Sequence, residues 1–146
     1  MIGIKELNEE NWYRCCEINV SKEQEKFLIS NAISIAHSKY DPSLKTVAIY
    51  FEGEVVGFAM YNTVKEELDS YWIWRIMVDE KFQGQGIGEE ATRLIVEDMK
   101  KFKECKRIAV AYVDGNEGAA KLYKKVGFVH RGERFGKEVA VVLDVT

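Results

Sequence analysis

The stretch "VDEKFQGQGIGEE", Val78 to Glu90, decides how this chain is read. Gly84, Gly86 and Gly88 alternate with other residues, and an amphipathic pattern of helical period follows at once. Glycine lets the main chain turn left-handed and lets another group approach it closely. At a helix start, the first N–H groups point outward, where the helix dipole favours an anion. The segment therefore predicts a phosphate cradle on a hinge between a strand and a helix.

Upstream of the hinge, "YWIWRIMV" (71–78) is an aromatic and β-branched run that predicts a strand. Downstream, Ala91, Leu94, Ile95, Met99 and Phe102 mark one face of a helix over 88–102. "RIAVAYV" (107–113) reads as a strand, and Ala119, Leu122, Tyr123 and Val126 form one face of a helix over 116–126. The end of the chain predicts two strands around Phe135-Gly136-Lys137. Toward the start, "TVAIYF" (46–51) and "VVGFAMY" (55–61) are strands joined by a tight turn at Glu52-Gly53. "IGIKEL" (2–7) is a short strand, followed by a helix that Asn8 caps and that runs through Cys16. Ser21-x-x-Gln24 has capping-box spacing and predicts one helix continuing to about Ser38, stopped by Asp41-Pro42.

The order is β-α-α-β-β-β-α-β-α-β-β, in a single domain spanning 1–146. The strand-helix-strand unit after the glycines closes as a right-handed crossover, which makes its two strands parallel neighbours. The expected fold class is α/β, a mixed and mostly antiparallel sheet flanked by helices on both faces. The net charge of −3 argues against nucleic acid, which needs a concentrated basic surface. No apolar run reaches the ~18–20 residues of a spanning helix, so no membrane partner is expected. The start "MIGIKELNEE" lacks a signal-peptide layout, and Cys15, Cys16 and Cys105 have no metal-like spacing, so reduced thiols in a cytoplasmic protein are expected. His37 and His130 have no partner at ligand spacing, so no metal site is expected.

Gly86-x-Gly88-x-x-Ala91 also satisfies a dinucleotide-binding pattern, but six residues, Glu80 to Gln85, separate it from the strand. The acidic Asp114 lies too far along to read a ribose, and the chain is short for two mononucleotide halves. No Gly-Lys-Ser/Thr follows, so the lysine and magnesium ligand of a phosphate loop are missing. There remains a cradle made of backbone N–H groups alone, at a helix N-terminus.

Gln83-x-x-Gly86-x-Gly88 on such a hinge resembles the acetyl-CoA signature of the GNAT superfamily of N-acetyltransferases. A second family pattern stands at Asn116-x-x-Ala119-x-x-Leu122-Tyr123-x-x-x-Gly127-Phe128. The resemblance covers nearly the whole chain. Within the superfamily, "EGEVVGFAMY", "VDEKFQGQGIG" and "CKRI" are similar to bacterial spermine/spermidine acetyltransferases. The resemblance implies that the strand before the glycines splays from its parallel neighbour and receives the pantetheine arm. Backbone groups of Ile76, Met77 and Val78 would bond that arm, and one N–H would polarise the thioester carbonyl. Amides of Gln83, Gly84, Gln85, Gly86, Ile87 and Gly88 would cradle the pyrophosphate, with Lys81 or Arg93 adding charge. Glu89 and Glu90 suit the helix dipole and are expected in solvent.

Tyr123 is implied as the general acid: a phenol near 10 can protonate a departing thiolate whose conjugate acid lies near 8.5. Asn116 is a helix cap, a pantetheine contact, or both; Ala119 sits one turn further along. The acceptor amine, only about one part in 10³ neutral at pH 7, must lose a proton. Some relatives carry an acid on the strand where this chain has Trp72 and Trp74. A water chain to Glu66, Glu67 or Asp69 is one route, and solvated loop acids are the plainer reading of those residues. Acid clusters at Glu23/Glu25 and Glu66/Glu67/Asp69, with Tyr71, Trp72 and Trp74, suit a polyamine; core filling explains the same aromatics. Another small amine, a protein N-terminus or lysine, and a low-turnover CoA sensor stay open. Dimers are common among relatives, so a homodimer is expected by analogy.

Overall fold

The computed structural model describes residues 1–19 and 30–145. Strands β1 (Ile2–Glu6), β2 (Leu44–Phe51), β3 (Glu54–Asn62), β4 (Tyr71–Val78), β5 (Arg107–Tyr112), β6 (Val129–Phe135) and β7 (Glu138–Asp144) form one sheet. Helices α1 (Trp12–Cys16), α2 (Asn31–Tyr40), α3 (Ile87–Met99) and α4 (Glu117–Val126) accompany it. The sheet order is β1-β2-β3-β4-β5-β7-β6, and β4–β5 is its single parallel pair. The expected mixed, mostly antiparallel sheet is what the chain forms.

Alternation along β3 sorts the core into two faces. Ala59 and Tyr61 point toward α3 and α4 and pack with Ile73, Ile95, Met99, Ile108, Val110, Tyr123 and Phe128. Phe58 and Met60 point the other way and pack with Cys15 of α1, Ala48 and Met77. Each such large side chain, fully removed from water, contributes roughly 1.5–3 kcal/mol before chain entropy is set against it.

The N-cap of α1 is Asn11, without a side-chain capping bond, and Asn8 instead closes the turn that leads into the helix. Asn8 Oδ1 accepts from the N–H groups of Glu10 (2.8 Å) and Asn11 (3.0 Å), and Asn11 Oδ1 accepts from Asn8 N. The Ser21-x-x-Gln24 capping box lies outside the described residues. The single helix expected to run through to Ser38 is corrected at Ser30. There the backbone is extended (φ −52°, ψ 138°) and the side-chain oxygen accepts from Ala32 N, so α2 begins at this point. Serine offers the backbone this local alternative to helix continuation. That helix ends at Tyr40, and Asp41 is extended (φ −133°, ψ 96°), as its position before Pro42 requires.

Candidate active site

The site begins with a fault in β4. Tyr61 pairs with Ile73 and Met60 pairs with Arg75, so Trp74 is an extra residue with no partner on β3. Ile73 and Ile76 consequently reach the same core, although simple alternation would put them on opposite faces. A one-residue bulge does this and bends the strand. On its other edge β4 pairs with β5 only over Tyr71, Trp72 and Ile73. Beyond the bulge the two parallel strands separate, and the β5-facing edge of residues 74–78 has no strand partner.

A cavity of about 410 Å³ occupies that separation. Its lining comes from β4 (Trp74 to Val78), the glycine loop, β5, α4 and Glu138 of β7. Gly84 (φ +81°) and Gly86 (φ +79°) hold the left-handed turns of the loop. Gly86 precedes α3 with no side-chain cap, so the first N–H groups of that helix are available to an anion. The loop is fastened from behind: buried Asp79 accepts from Arg14 (3.1 Å) and from Lys81 N (3.1 Å), and its own N–H donates to Val56 O (2.8 Å). Gln83 Nε2 donates to Val78 O at 2.8 Å, so the glutamine side chain helps shape the loop.

On the opposite wall, Tyr123 of α4 is buried between Tyr112 (ring centroids 6.4 Å) and Phe128 (5.7 Å). Burial raises its phenol above the usual tyrosine value, so it stays protonated through the neutral range. Its hydroxyl makes no hydrogen bond among the described residues. Asn116 Oδ1 accepts from Ala119 N at 3.2 Å, which makes it the cap of α4 while it also lines the cavity. Backbone donors at one end, an unpaired strand edge in the middle and a phenol on the wall suit a pyrophosphate, an amide-bearing arm and a thioester in that order.

Residues 6–128 match the Acetyltransferase (GNAT) family. The chain belongs to the GNAT family. It is therefore an acetyl-CoA-dependent N-acetyltransferase, with acetyl-CoA as co-substrate. It is 30% identical over 137 residues to spermine/spermidine N(1)-acetyltransferase of Bacillus subtilis, covering 90% of each chain. In fold it is similar to aminoglycoside acetyltransferase AAC(6')-Ib in complex with coenzyme A (TM-score 0.78, 16% identity, 99% of this chain and 95% of that one). It is also similar to spermidine N-acetyltransferase from Vibrio cholerae in complex with CoA and spermine (TM-score 0.73, 12% identity, 99% and 94%).

Within this GNAT chain, Ile76, Met77, Val78, Gln83, Gly84, Gly86, Ile87, Gly88, Asn116, Ala119 and Tyr123 all line the one cavity. Gln85 does not; it is exposed on the outer side of the loop. Lys81 does not line it either, and Arg93 is engaged by Glu89 (3.2 Å) and Lys125 O (3.0 Å). The lining cation is Arg75, whose guanidinium is lowered by burial, with Glu138 opposing. Glu90 is exposed as expected, but Glu89 turns toward the cavity.

The expected acceptor residues divide. Trp74 lines the cavity and meets the His37 ring edge-on (6.1 Å). Trp72 does not: it is 5% exposed, its Nε1 donates to Glu67 O (2.8 Å), and Phe135 covers its ring (4.9 Å). Glu66, Glu67 and Asp69 lie at the far end of β4, outside the cavity lining. Glu66 accepts from Asn62 Nδ2, Asp69 is paired with Lys65 (2.8 Å), and Glu67 supplies the carbonyl for Trp72. Those acids build the loop before β4, because a short loop with left-handed Leu68 and Asp69 needs local partners. Tyr71 is likewise core, its hydroxyl donating to Lys103 O (2.7 Å). Glu23 and Glu25 lie outside the described residues. Among the described residues no group of three or more His, Cys, Asp or Glu could hold a metal, and no helix is long and apolar enough to cross a membrane.

Sequence reasoning missed Asp79, Gly57, Tyr112 and Glu138. Gly57 carries a steric demand: a Cβ there would meet Met77 O at 2.4 Å. Strand-interior glycine is the available signal for such a close approach. Nothing in the local sequence distinguishes Glu138 from other strand-end acids.

Proposed function

We propose that residues 1–146 act as one catalytic domain that moves the acetyl group of acetyl-CoA to a primary amine, with a polyamine such as spermidine or spermine as acceptor. The observation that carries the catalytic part is the Tyr123 phenol, without a hydrogen-bond partner among the described residues, on the wall facing the unpaired edge of β4. On this reading the amides around Ile76 to Val78 hold the arm and polarise the thioester, and the α3 N-terminus holds the pyrophosphate. Tyr123 gives its proton to the departing thiolate. The polyamine part is supported by the relation to the Bacillus subtilis enzyme over most of both chains. Trp74 adds an aromatic face suited to a methylene stem or a cation.

A second acceptor class, a small amine bearing an anionic group, is favoured by Arg75, a cation inside the same cavity. A panel of amines with acetyl-CoA, followed by thiol release, separates the two. Spermidine and spermine are expected to give the highest kcat/KM. A zwitterionic or neutral amine outperforming them by tenfold sinks the polyamine reading. The three thiols, all unpaired, support a cytoplasmic setting, and a homodimer belongs to the same reading by analogy. Sedimentation at working concentration decides the second point.

A further inference from the structure

An alkylammonium must lose a proton before its nitrogen can attack the thioester, and β4 supplies no carboxylate for it. Two carboxylates line the cavity. Glu89 belongs to the phosphate end, on the first turn of α3, and is paired with Arg93 at 3.2 Å. Glu138, the first residue of β7, enters the lining from a different strand. It is half-buried, and its carboxylate makes no hydrogen bond or ion pair among the described residues.

Alternation places Glu138 on the useful face. Val139 packs into the core beneath α3 and α4, while Ala140 packs with Trp72 and Trp74 on the opposite face. Glu138, two residues before Ala140, shares that face with Trp74. Tyr112, the strand partner of Val139, carries the ring that neighbours Tyr123. The β7 strand thus sets a carboxylate at the rim of the cleft whose opposite wall holds the phenol. The charged and titratable groups around it are Arg75 from β4, Tyr112 from β5, Tyr123 from α4, and Arg134 and Lys137 from the β6–β7 hairpin. Arg134 is committed to Asp114 (2.7 Å) and to Lys137 O, which leaves Arg75 as the cation nearest in role.

We propose that Glu138 receives the ammonium group of the acceptor and takes its proton, with the Trp74 ring beside it. The proposal rests on the acetyltransferase reading above. The ammonium gives one proton to the Glu138 carboxylate, which passes it to solvent. The freed nitrogen forms a bond to the thioester carbon. As the C–S bond breaks, the sulfur leaves with the Tyr123 proton. The nitrogen then loses its second proton, which restores Tyr123, and the products are the amide, the free thiol and one proton.

The test uses the full chain and spermidine as probe, comparing wild type with Glu138→Gln and Glu138→Asp across pH 6–10. Glu138→Gln should lower kcat/KM for the amine at pH 7 by about 10²-fold, the lower end for a positioned base. That deficit should shrink by up to tenfold per pH unit as neutral amine becomes available from solution. Glu138→Asp should recover part of the activity. Acetyl-CoA affinity by calorimetry and the melting temperature should stay close to wild type, since the side chain is half-buried and makes no hydrogen bond among the described residues. A Glu138→Gln enzyme within threefold of wild type, or equally impaired at every pH, overturns the role of Glu138 alone. A wild type that acetylates no amine overturns the underlying reading and this role with it.

Discussion

Trp72 and Trp74 stand two residues apart on one strand and one face, yet they belong to different parts of the molecule. Trp72 pairs with Ala109 of β5, gives its backbone N–H to Asn62 Oδ1 of β3 (2.7 Å), is covered by Phe135, and has its indole N–H satisfied. Trp74 is the bulge residue, lines the cavity, and its indole nitrogen is buried without a hydrogen-bond partner among the described residues. An unmet buried donor costs about 1–3 kcal/mol, so the Trp74 indole carries a cost that the Trp72 indole does not. One residue of mismatch against β3 separates a half of β4 packed into the sheet from a half that lines the cavity. The difference teaches that a strand's chemistry is set by what pairs with its edges as much as by its side chains.

The comparison can be broken by substitutions in each half. The largest effect is expected across the cleft from the open half. Tyr123→Phe should lower kcat by about 10²–10⁴-fold, while calorimetry shows acetyl-CoA affinity nearly unchanged. Unchanged turnover removes Tyr123 from the acid role. Next, Trp72→Ala in the closed half should cost about 3–5 kcal/mol in urea unfolding, the range for a buried aromatic. Trp74→Ala should cost roughly half as much stability and instead raise KM for the amine. If the two tryptophans behave alike in both assays, the division of β4 is wrong.

Gly57→Ala sharpens the division from behind. Its Cβ would press on the Met77 carbonyl, at the open half, and should cost about 1–3 kcal/mol by overpacking. Acetyl-CoA affinity should fall with it, because β4 has to shift; a stable variant with intact affinity shows that the strand gives way harmlessly. The smallest effect concerns the closed half, where Tyr61 faces Ile73 across the β3–β4 pairing. Burial raises the Asp98 carboxyl, but bonds from Lys45 (2.8 Å) and Tyr61 (2.6 Å) outweigh it and hold the group below its ordinary 3.8. A carboxyl lowered by folding stabilises above its unfolded value, and that contribution disappears as pH falls through the folded value. The stability gap between wild type and Asp98→Asn, about 1 kcal/mol at neutral pH for a partly exposed pair, should close progressively below about pH 4. A gap that persists at pH 2 removes the ion pair as its cause.

Much of the fold was legible because its signals are local. Apolar, aromatic and β-branched runs marked the seven strands, the helix read over 88–102 forms as Ile87–Met99, Asn116 marked the start of α4, and the crossover rule made β4 and β5 parallel. Two features escaped. The break at Ser30 depends on one side chain closing on Ala32 N, which competes with a helical pattern that is otherwise continuous. The bulge at Trp74 depends on register against β3, and no feature of "YWIWR" announces it.

The donor half of the site was determined by sequence alone. On the proposed reading its donors are backbone amides of the glycine loop and the α3 N-terminus, and their presentation follows from contiguous residues whose glycines and helix start are encoded in place. On the proposed reading, the acceptor side was decided by the tertiary structure: the sequence singled out Tyr123 and Trp74, but not Arg75, Tyr112 or Glu138, nor that the five meet. Trp74, Arg75, Tyr112, Tyr123 and Glu138 come from β4, β5, α4 and β7, and meet because the bulge opens β4 from β5 while β7 completes the far side of β5. Side-chain chemistry assembled across strands depends on register and edge pairing. Those are properties of the packed sheet, which is why Glu66, Glu67, Asp69 and Trp72 looked plausible in the sequence and lie elsewhere in the fold.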